Sequence, residues 1–237
     1  MTDPTFRDDM TVQLVKHSAA DEDVVFAARV STKGAESLPT GTFGPAEKGL
    51  INFLMRDRHG SPFEHNSMTL YVEAPIFVLR EWQRHRVASY NEESARYREL
   101  KPVFYLPADD RKVVQVGRPG RYTFEPGTRM QRYTARRSIE MSAYEAWAYY
   151  REMLGEGIAR EVARSVLPVS IYSSMYVTLN ARSLMHFLSL RTEEEAARFP
   201  SHPQREIAMC AEQVEAIFAE LMPVTYAAFQ ANGRVAP

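Results

Sequence analysis

The sequence predicts an α+β fold: a mostly antiparallel central sheet flanked by helices, with all 237 residues in a single domain. Three observations carry that expectation. Apolar residues at helical spacing outnumber strand-forming runs. The run 67–73 alternates Met68, Leu70 and Val72 on one side. The two kinds of element also follow one another irregularly, not as repeated βαβ units. A chain of this length can bury a sizeable core.

Taken in order, residues 12–15 read as a short first strand. Ser18 or Asp21 stands where a cap is needed for a helix through Val24, Val25, Ala27, Ala28 and Val30. Residues 32–45 read as a loop. A second helix spans 46–58, with Leu50, Phe53 and Leu54 at helical spacing, until His59-Gly60-Ser61-Pro62 breaks it. After the strand at 67–73, Ala74-Pro75 opens a helix through Ile76, Val78, Leu79 and Trp82. Residues 84–97 then read as irregular, and 103–106 as a strand. Prolines and glycines between 107 and 127 predict a loop insertion. A long helix follows over 129–154, its Tyr144, Trp147 and Tyr150 suited to packing or an interface. A short helix over 159–166 stops at Pro168, and residues 171–178 form a strand. Asn180 caps a helix through Leu184, Phe187 and Leu188, and 203–221 form the terminal helix.

The net charge of −1 provides no global attraction to nucleic acid or membrane. Locally, Arg111, Lys112, Arg118, Arg121, Arg129, Arg132, Arg136 and Arg137 make the middle of the chain basic. The only cysteine, Cys210, excludes an internal disulfide and any multi-cysteine metal site. It falls on the apolar stripe Ile207, Cys210, Val214, Ile217, Phe218, Leu221, which reads as a core thiol. Asp3, Asp8 and Asp9 interrupt any signal-like apolar run, and no stretch approaches the roughly 20 residues of a membrane span. The expected location is the cytoplasm, with no metal and with neither nucleic acid nor membrane as partner.

The segment from Arg84 to Tyr97 is the most informative. It packs cations, hydroxyls and the carboxylates Glu92 and Glu93 together with almost no aliphatic material. Unpaired buried charge costs several kcal/mol or more, so packing alone does not explain it. Arginine offers a rigid donor fork for phosphate and a flat face for aromatic rings, so an anionic, planar ligand is the natural complement.

Arg84-His85-Arg86, then seven residues, then Ser94 followed by Arg96-Tyr97, with Ser89 and Asn91-Glu92 between, resembles the signature of the flavin-dependent thymidylate synthases. Three further elements resemble that family in the same order. They are His59-Gly60-Ser61-Pro62-Phe63-Glu64-His65, Ala163-Arg164-Ser165-Val166-Leu167-Pro168, and Asn180-Ala181-Arg182 continuing to Arg191. The resemblance covers about residues 28–191.

The resemblance implies methylation of dUMP to dTMP with FAD, NADPH or NADH, and methylenetetrahydrofolate. It implies FAD contacts from Ser61, Arg84, His85, Arg86, Glu92, Asn180, Arg182 and His186, with His59 on the folate and nicotinamide side. It implies dUMP contacts from Glu81, Trp82, Gln83, Arg84, Glu92, Ser94, Ala95, Arg96, Arg164 and Arg191. It also implies a homotetramer with active sites shared between subunits.

The residue types suit the chemistry. Arg96, Arg164 and the main-chain N–H groups near Ser94 and Ala95 suit a phosphate dianion. Glu92, an anion, suits a ribose hydroxyl or the ordering of neighbouring arginines. Arg191 is too weak an acid to serve as a base near neutrality and reads as the catalytic cation that stabilises charge on the pyrimidine. Two other readings compete: a flavoprotein that oxidises NAD(P)H without methylating, and a binding module for RNA or single-stranded DNA on the basic stretch 111–137.

Overall fold

The computed structural model describes residues 3–37, 43–119 and 121–237. The architecture is α+β, and its elements run in the following order. The chain opens with β1 (Thr5–Arg7), β2 (Thr11–Ser18), α1 (Asp21–Lys33), a 3-10 turn (Gly34–Ser37) and α2 (Pro45–Arg56). A second 3-10 turn (Ser61–Glu64), β3 (Ser67–Pro75), α3 (Ile76–Trp82), β4 (Ser89–Glu92) and β5 (Val103–Tyr105) follow. Next come β6 (Val114–Arg118), β7 (Arg121–Glu125), α4 (Arg129–Gly155), α5 (Arg160–Ala163) and a third 3-10 turn (Arg164–Val166). The chain ends in β8 (Tyr172–Leu179), α6 (Ala181–Arg191), α7 (Arg205–Leu221) and α8 (Pro223–Ala231).

The main sheet is antiparallel, with strand order β2-β3-β8-β4. A parallel pair, β1 with β5, and an antiparallel pair, β6 with β7, complete the strands among the described residues. No helix among the described residues is long and apolar enough to cross a membrane.

Contacts divide the chain into two compact units. One comprises Met1–Met10, Glu73–Arg80 and Glu92–Ser174; the other comprises Thr11–Val72, Glu81–Asn91 and Met175–Pro237. The first is centred on Phe104, Trp147, Tyr150 and Ile171, packed with Ala95, Leu100, Ala143 and Ala163. Of the three α4 aromatics singled out, Trp147 and Tyr150 are buried in this core, whereas Tyr144 is exposed and meets Phe6 edge-on. The second unit buries Phe63, Leu70, Phe187, Phe218 and Phe229 completely, each contributing about 1.5–3 kcal/mol. Cys210 is fully buried there, on the apolar stripe of α7.

Several sequence expectations need correction. The 107–127 insertion is not a plain loop, because Val114 to Arg118 pairs residue by residue with Arg121 to Glu125. Gly117 within the hairpin adopts φ +102° and Gly127 after it φ +74°, while Gly120 lies outside the described residues. The signature is not wholly irregular either. Residues 89–92 form an edge strand held by backbone pairing, which needs no aliphatic side chains.

The expected loop at 32–45 is shorter, since α1 runs to Lys33 and a 3-10 turn follows; residues 38–42 lie outside the described residues. Neither Ser18 nor Asp21 caps α1. Asp23 returns to the Ala20 N–H at 2.9 Å instead. Asp21 is buried, and its carboxylate accepts from Val224 N at 2.8 Å, Thr225 N at 2.7 Å and Thr225 Oγ1 at 2.6 Å, capping α8. The sequence reading places no helix after 203–221, whereas Pro223, suited to a first helical turn, opens α8.

Candidate active site

In the second unit, the turn at 59–66 and the start of α6 are built together. Asn180 accepts from Ser183 N at 2.9 Å, the cap that the sequence predicts. Asn66 is buried between Phe63 O, to which it donates at 3.2 Å, and the Ala181 N–H, from which it accepts at 2.7 Å. Together they satisfy exposed donors of the first turn of α6. Arg182 then reaches back to pair with Glu64. Gly60 makes room for it: a Cβ there would lie 2.5 Å from the Arg182 guanidinium carbon. His59 stacks on Phe53 with ring centroids 5.5 Å apart, and Ser61 opens the turn, exposed.

The end of α3 and the far end of α6 meet around Arg191. Its Nη1 donates to Glu81 Oε2 at 2.9 Å, and its Nε donates to His85 Nε2 at 3.1 Å. Accepting at Nε2 requires a neutral imidazole. Burial, aided by Arg191 and then His186, pushes the His85 pKa down to about 4. Burial also raises the Glu81 pKa, with Arg191 opposing and Glu206 reinforcing it. His85 packs edge-on against Phe187 at 5.0 Å, and Phe187 stacks on Trp82 at 4.1 Å. The Tyr90 hydroxyl lies 2.8 Å from Trp82 O and 2.7 Å from His85 O, so one O–H fastens both ends of the turn. Burial raises the Tyr90 pKa to about 12, keeping that hydroxyl a donor.

An open cavity of about 390 Å³ is lined by Trp82, His85, Arg86, Arg182, His186, Phe187 and neighbours that include Glu64 and Tyr90. Burial lowers the His186 pKa, helped by Arg182 and Arg58, so His186 is a neutral donor or acceptor near pH 7. Gln83 and Arg84 are exposed on the adjoining turn.

The remaining predicted residues belong to the first unit. Ser94 Oγ accepts from the Arg96 N–H at 3.3 Å, and Ser94 O accepts from Tyr97 N at 3.0 Å. Arg96 Nε meets Glu161 Oε2 at 3.1 Å. Ala95 and Ala163 are buried in one core, so Arg96 and Arg164, both exposed, each follow an alanine anchored there. Glu92 ends β4, exposed.

Of the predicted residues, the cavity thus gathers Trp82, His85, Arg86, Arg182 and His186, with Arg191 and Glu81 joined to it through His85. Sequence reasoning missed Gly60, Asn66, Tyr90 and Phe187. Tyr90 lies inside the signature and Gly60 inside the upstream motif, so position could have flagged both. Phe187 reads only as core.

The half-buried His85, the cations Arg86 and Arg182 around the cavity and the clamped Arg191 suit a planar, anion-bearing ligand. A family model described as thymidylate synthase complementing protein matches residues 13–224. The flavin-dependent thymidylate synthase of Streptomyces avermitilis is 64% identical over 236 residues, 99% of this chain and 96% of the relative. That of Tropheryma whipplei is 56% identical over 235 residues, 99% and 98% of the two chains. The crystal structure of the UMP/dUMP methylase PolB from Streptomyces cacaoi, bound with 5-Br UMP, superposes with a TM-score of 0.92 at 52% identity over 100% of both chains. The chain belongs to the flavin-dependent thymidylate synthase family and is an enzyme.

Proposed function

We propose that this enzyme methylates dUMP to dTMP, taking the one-carbon unit from methylenetetrahydrofolate and the hydride from FAD reduced by NAD(P)H, without a cysteine nucleophile. The observation that carries the reading is Arg191, a cation held by Glu81 at 2.9 Å and by the cavity-lining His85 at 3.1 Å. Negative charge develops on the pyrimidine when C5 is made nucleophilic. A fixed guanidinium at its edge stabilises that charge, and most strongly where water is scarce.

The donor set fits the flavin. His85, backed by the buried Phe187–Trp82 stack, offers a ring face, while Arg86, Arg182 and His186 offer donors for phosphates. With Arg84, Ser61, Glu92 and Asn180, these residues would hold FAD, Asn180 through its amide nitrogen because its oxygen already caps α6. FAD supplies the hydride chemistry when bound. For the nucleotide, Arg96, Arg164 and N–H groups near Ser94 and Ala95 take the phosphate. Glu92 takes a ribose hydroxyl, and Glu81, Trp82, Gln83, Arg84 and Arg191 attend the base side. His59 serves the folate and nicotinamide side. The assembly is a homotetramer with active sites shared between subunits, in the cytoplasm.

Cys210 supports the cysteine-free route. Burial pushes its thiol up to about 12, with the neighbouring Trp82 indole opposing only in part, so it carries no thiolate near pH 7.

The test is release of the C5 hydrogen from labelled dUMP, with methylenetetrahydrofolate and NADPH present, by protein purified with its yellow chromophore. Release matched by dTMP is expected. NADPH oxidation without release would establish the non-methylating flavoprotein, and a colourless protein that binds nucleic acid would overturn the enzyme reading altogether. PolB's name covers UMP as well as dUMP, so UMP is a second substrate reading. Thymidylate synthases at 64% identity favour dUMP, and competing the two nucleotides in one assay decides.

A further inference from the structure

We infer that Thr192, held by the buried Arg234–Glu215 pair, positions Arg191; this rests on Arg191 being the cation at the pyrimidine. Arg191 is the last residue of α6, and Thr192 is its C-cap. Last turns of helices fray, because their carbonyls lack partners within the helix. An arginine there reaches Glu81 and His85 reproducibly only if the turn is fixed.

Thr192 fixes it twice. Its N–H donates to Leu188 O at 3.1 Å, and its hydroxyl donates to the same oxygen at 2.7 Å. The hydroxyl oxygen in turn accepts from Arg234 Nη2 at 2.7 Å. The Arg234 side chain is only 4% exposed, and it also donates to Glu215 Oε2 at 3.1 Å and to Gln230 Oε1 at 2.8 Å. Its guanidinium carbon lies 5.1 Å from the Phe229 ring centroid. The backbone is set as well: Arg234 adopts φ +56°, unusual for a non-glycine residue, and its N–H donates to Phe229 O at 2.9 Å. A buried charge paired with a carboxylate on α7 is therefore aimed at the Thr192 hydroxyl, which closes the turn bearing Arg191 beside the Ser201 hydroxyl that donates to Leu190 O at 2.8 Å. None of the family-like motifs contains Glu215 or Arg234.

A purely stabilising ion pair would be built the same way, so the test must read the site. Thr192→Val keeps the side-chain shape, removes the hydroxyl and leaves Arg234 paired with Glu215; Thr192→Ser restores the hydroxyl. In the flavin-loaded enzyme, kcat for dUMP should fall roughly 10–100-fold in Thr192→Val, as expected for a misplaced catalytic group, with KM for dUMP little changed. Thr192→Ser should recover most of it. In ligand-free protein, the His85 titration followed by NMR should move from about 4 toward the ordinary 6.5 in Thr192→Val, because Arg191 is one cause of the depression.

A lower Tm with kcat, KM and the His85 midpoint unchanged overturns the inference. If Thr192→Val does not fold, Arg234→Lys, which keeps charge but loses the fork, is read by the same two measurements with the same criteria. Arg191→Ala runs beside them. Near-normal turnover there refutes the role of Arg191 itself, whereas an inactive Arg191→Ala with normal Thr192→Val refutes only the positioning.

Discussion

Arg191 and Arg96 are both assigned to the nucleotide, yet the molecule treats them differently. The Arg191 side chain is 21% exposed, with two donors already committed to Glu81 and His85. His85 is itself wedged on Phe187, and Phe187 on Trp82. Arg96 is 51% exposed, and its recorded partner Glu161 is 55% exposed. Exposed pairs of that kind are worth about 0–1 kcal/mol and let go easily. A cation held in advance stabilises charge as it develops during reaction; one that swings in water can capture a phosphate but adds little afterwards. The clamped arginine should therefore govern kcat and the exposed turn should govern KM.

The basic face of α4 belongs to neither class. Arg132 donates to Gly127 O at 2.6 Å, Arg136 donates to Pro107 O, and Arg136 also pairs with Asp109 at 3.4 Å. Those cations fasten the ends of the hairpin segment to the helix. They are partly consumed by the fold, which weakens the nucleic-acid reading of the same stretch.

The comparison breaks first at Arg191. Arg191→Ala should retain bound flavin and lose roughly 10²–10³ in kcat, the usual cost of one preorganised donor. The measurement is single-turnover dTMP formation at saturating dUMP. If the loss appeared in KM instead, the clamp would be a binding device like the Arg96 turn.

A smaller effect tests the clamp through pH. In ligand-free protein His85 should titrate at about 4, against an ordinary 6.5. The unfolded chain takes up that proton first as pH falls. The folded state should thus lose stability progressively from about pH 6.5 to about 4, with this contribution intact above that window. In Arg191→Ala the midpoint should rise without reaching 6.5, since burial is the larger cause. A midpoint near 6.5 in the wild type would mean that His85 is not the buried acceptor described.

Smaller still is Ser94→Ala. Ser94 Oγ is engaged with the Arg96 N–H at 3.3 Å, so its loss loosens the turn instead of removing a nucleophile. One neutral hydrogen bond is worth about 0.5–1.5 kcal/mol, so KM for dUMP should rise roughly 2–10-fold while kcat at saturation stays measurable. A vanished kcat with unchanged dUMP affinity and flavin would overturn the binding role and point to covalent catalysis by serine.

How much of this was legible in the sequence depended on whether a residue acts locally. The Asn180 cap, the core thiol Cys210 and the strand at 67–73 followed from spacing, because each obeys a short-range rule. Asp21 did not: its position suits a cap for α1, and only the fold carries it to the start of α8, more than 200 positions along the chain. The hairpin at 114–125 was hidden because glycine and proline mark turns and loops alike. In the candidate site, motif position singles out Arg191 and His85 separately. Their hydrogen bond, 106 positions apart in sequence, and the Phe187 wall behind it could not be read from any local pattern.

The smallest expected effect is at Cys210, and it decides which wall of the site is chemical and which is only packing. The thiol is fully buried on α7 beside the Trp82 indole, behind the aromatic face that lines the cavity. Its pKa of about 12 leaves no thiolate at neutral pH. Cys210→Ala removes one buried sulfur and should lower stability by about 1 kcal/mol, at the low end for large-to-small core changes. The kcat should stay within about twofold of wild type, because the change removes a thiol that makes no direct contact with Arg191 and keeps Trp82, Phe187 and the Arg191 partners Glu81 and His85. Thermal unfolding beside steady-state turnover separates the two consequences. A variant that is folded, yellow and inactive would place the thiol in the chemistry, and the arginine-centred mechanism would then have to give way to a nucleophilic one.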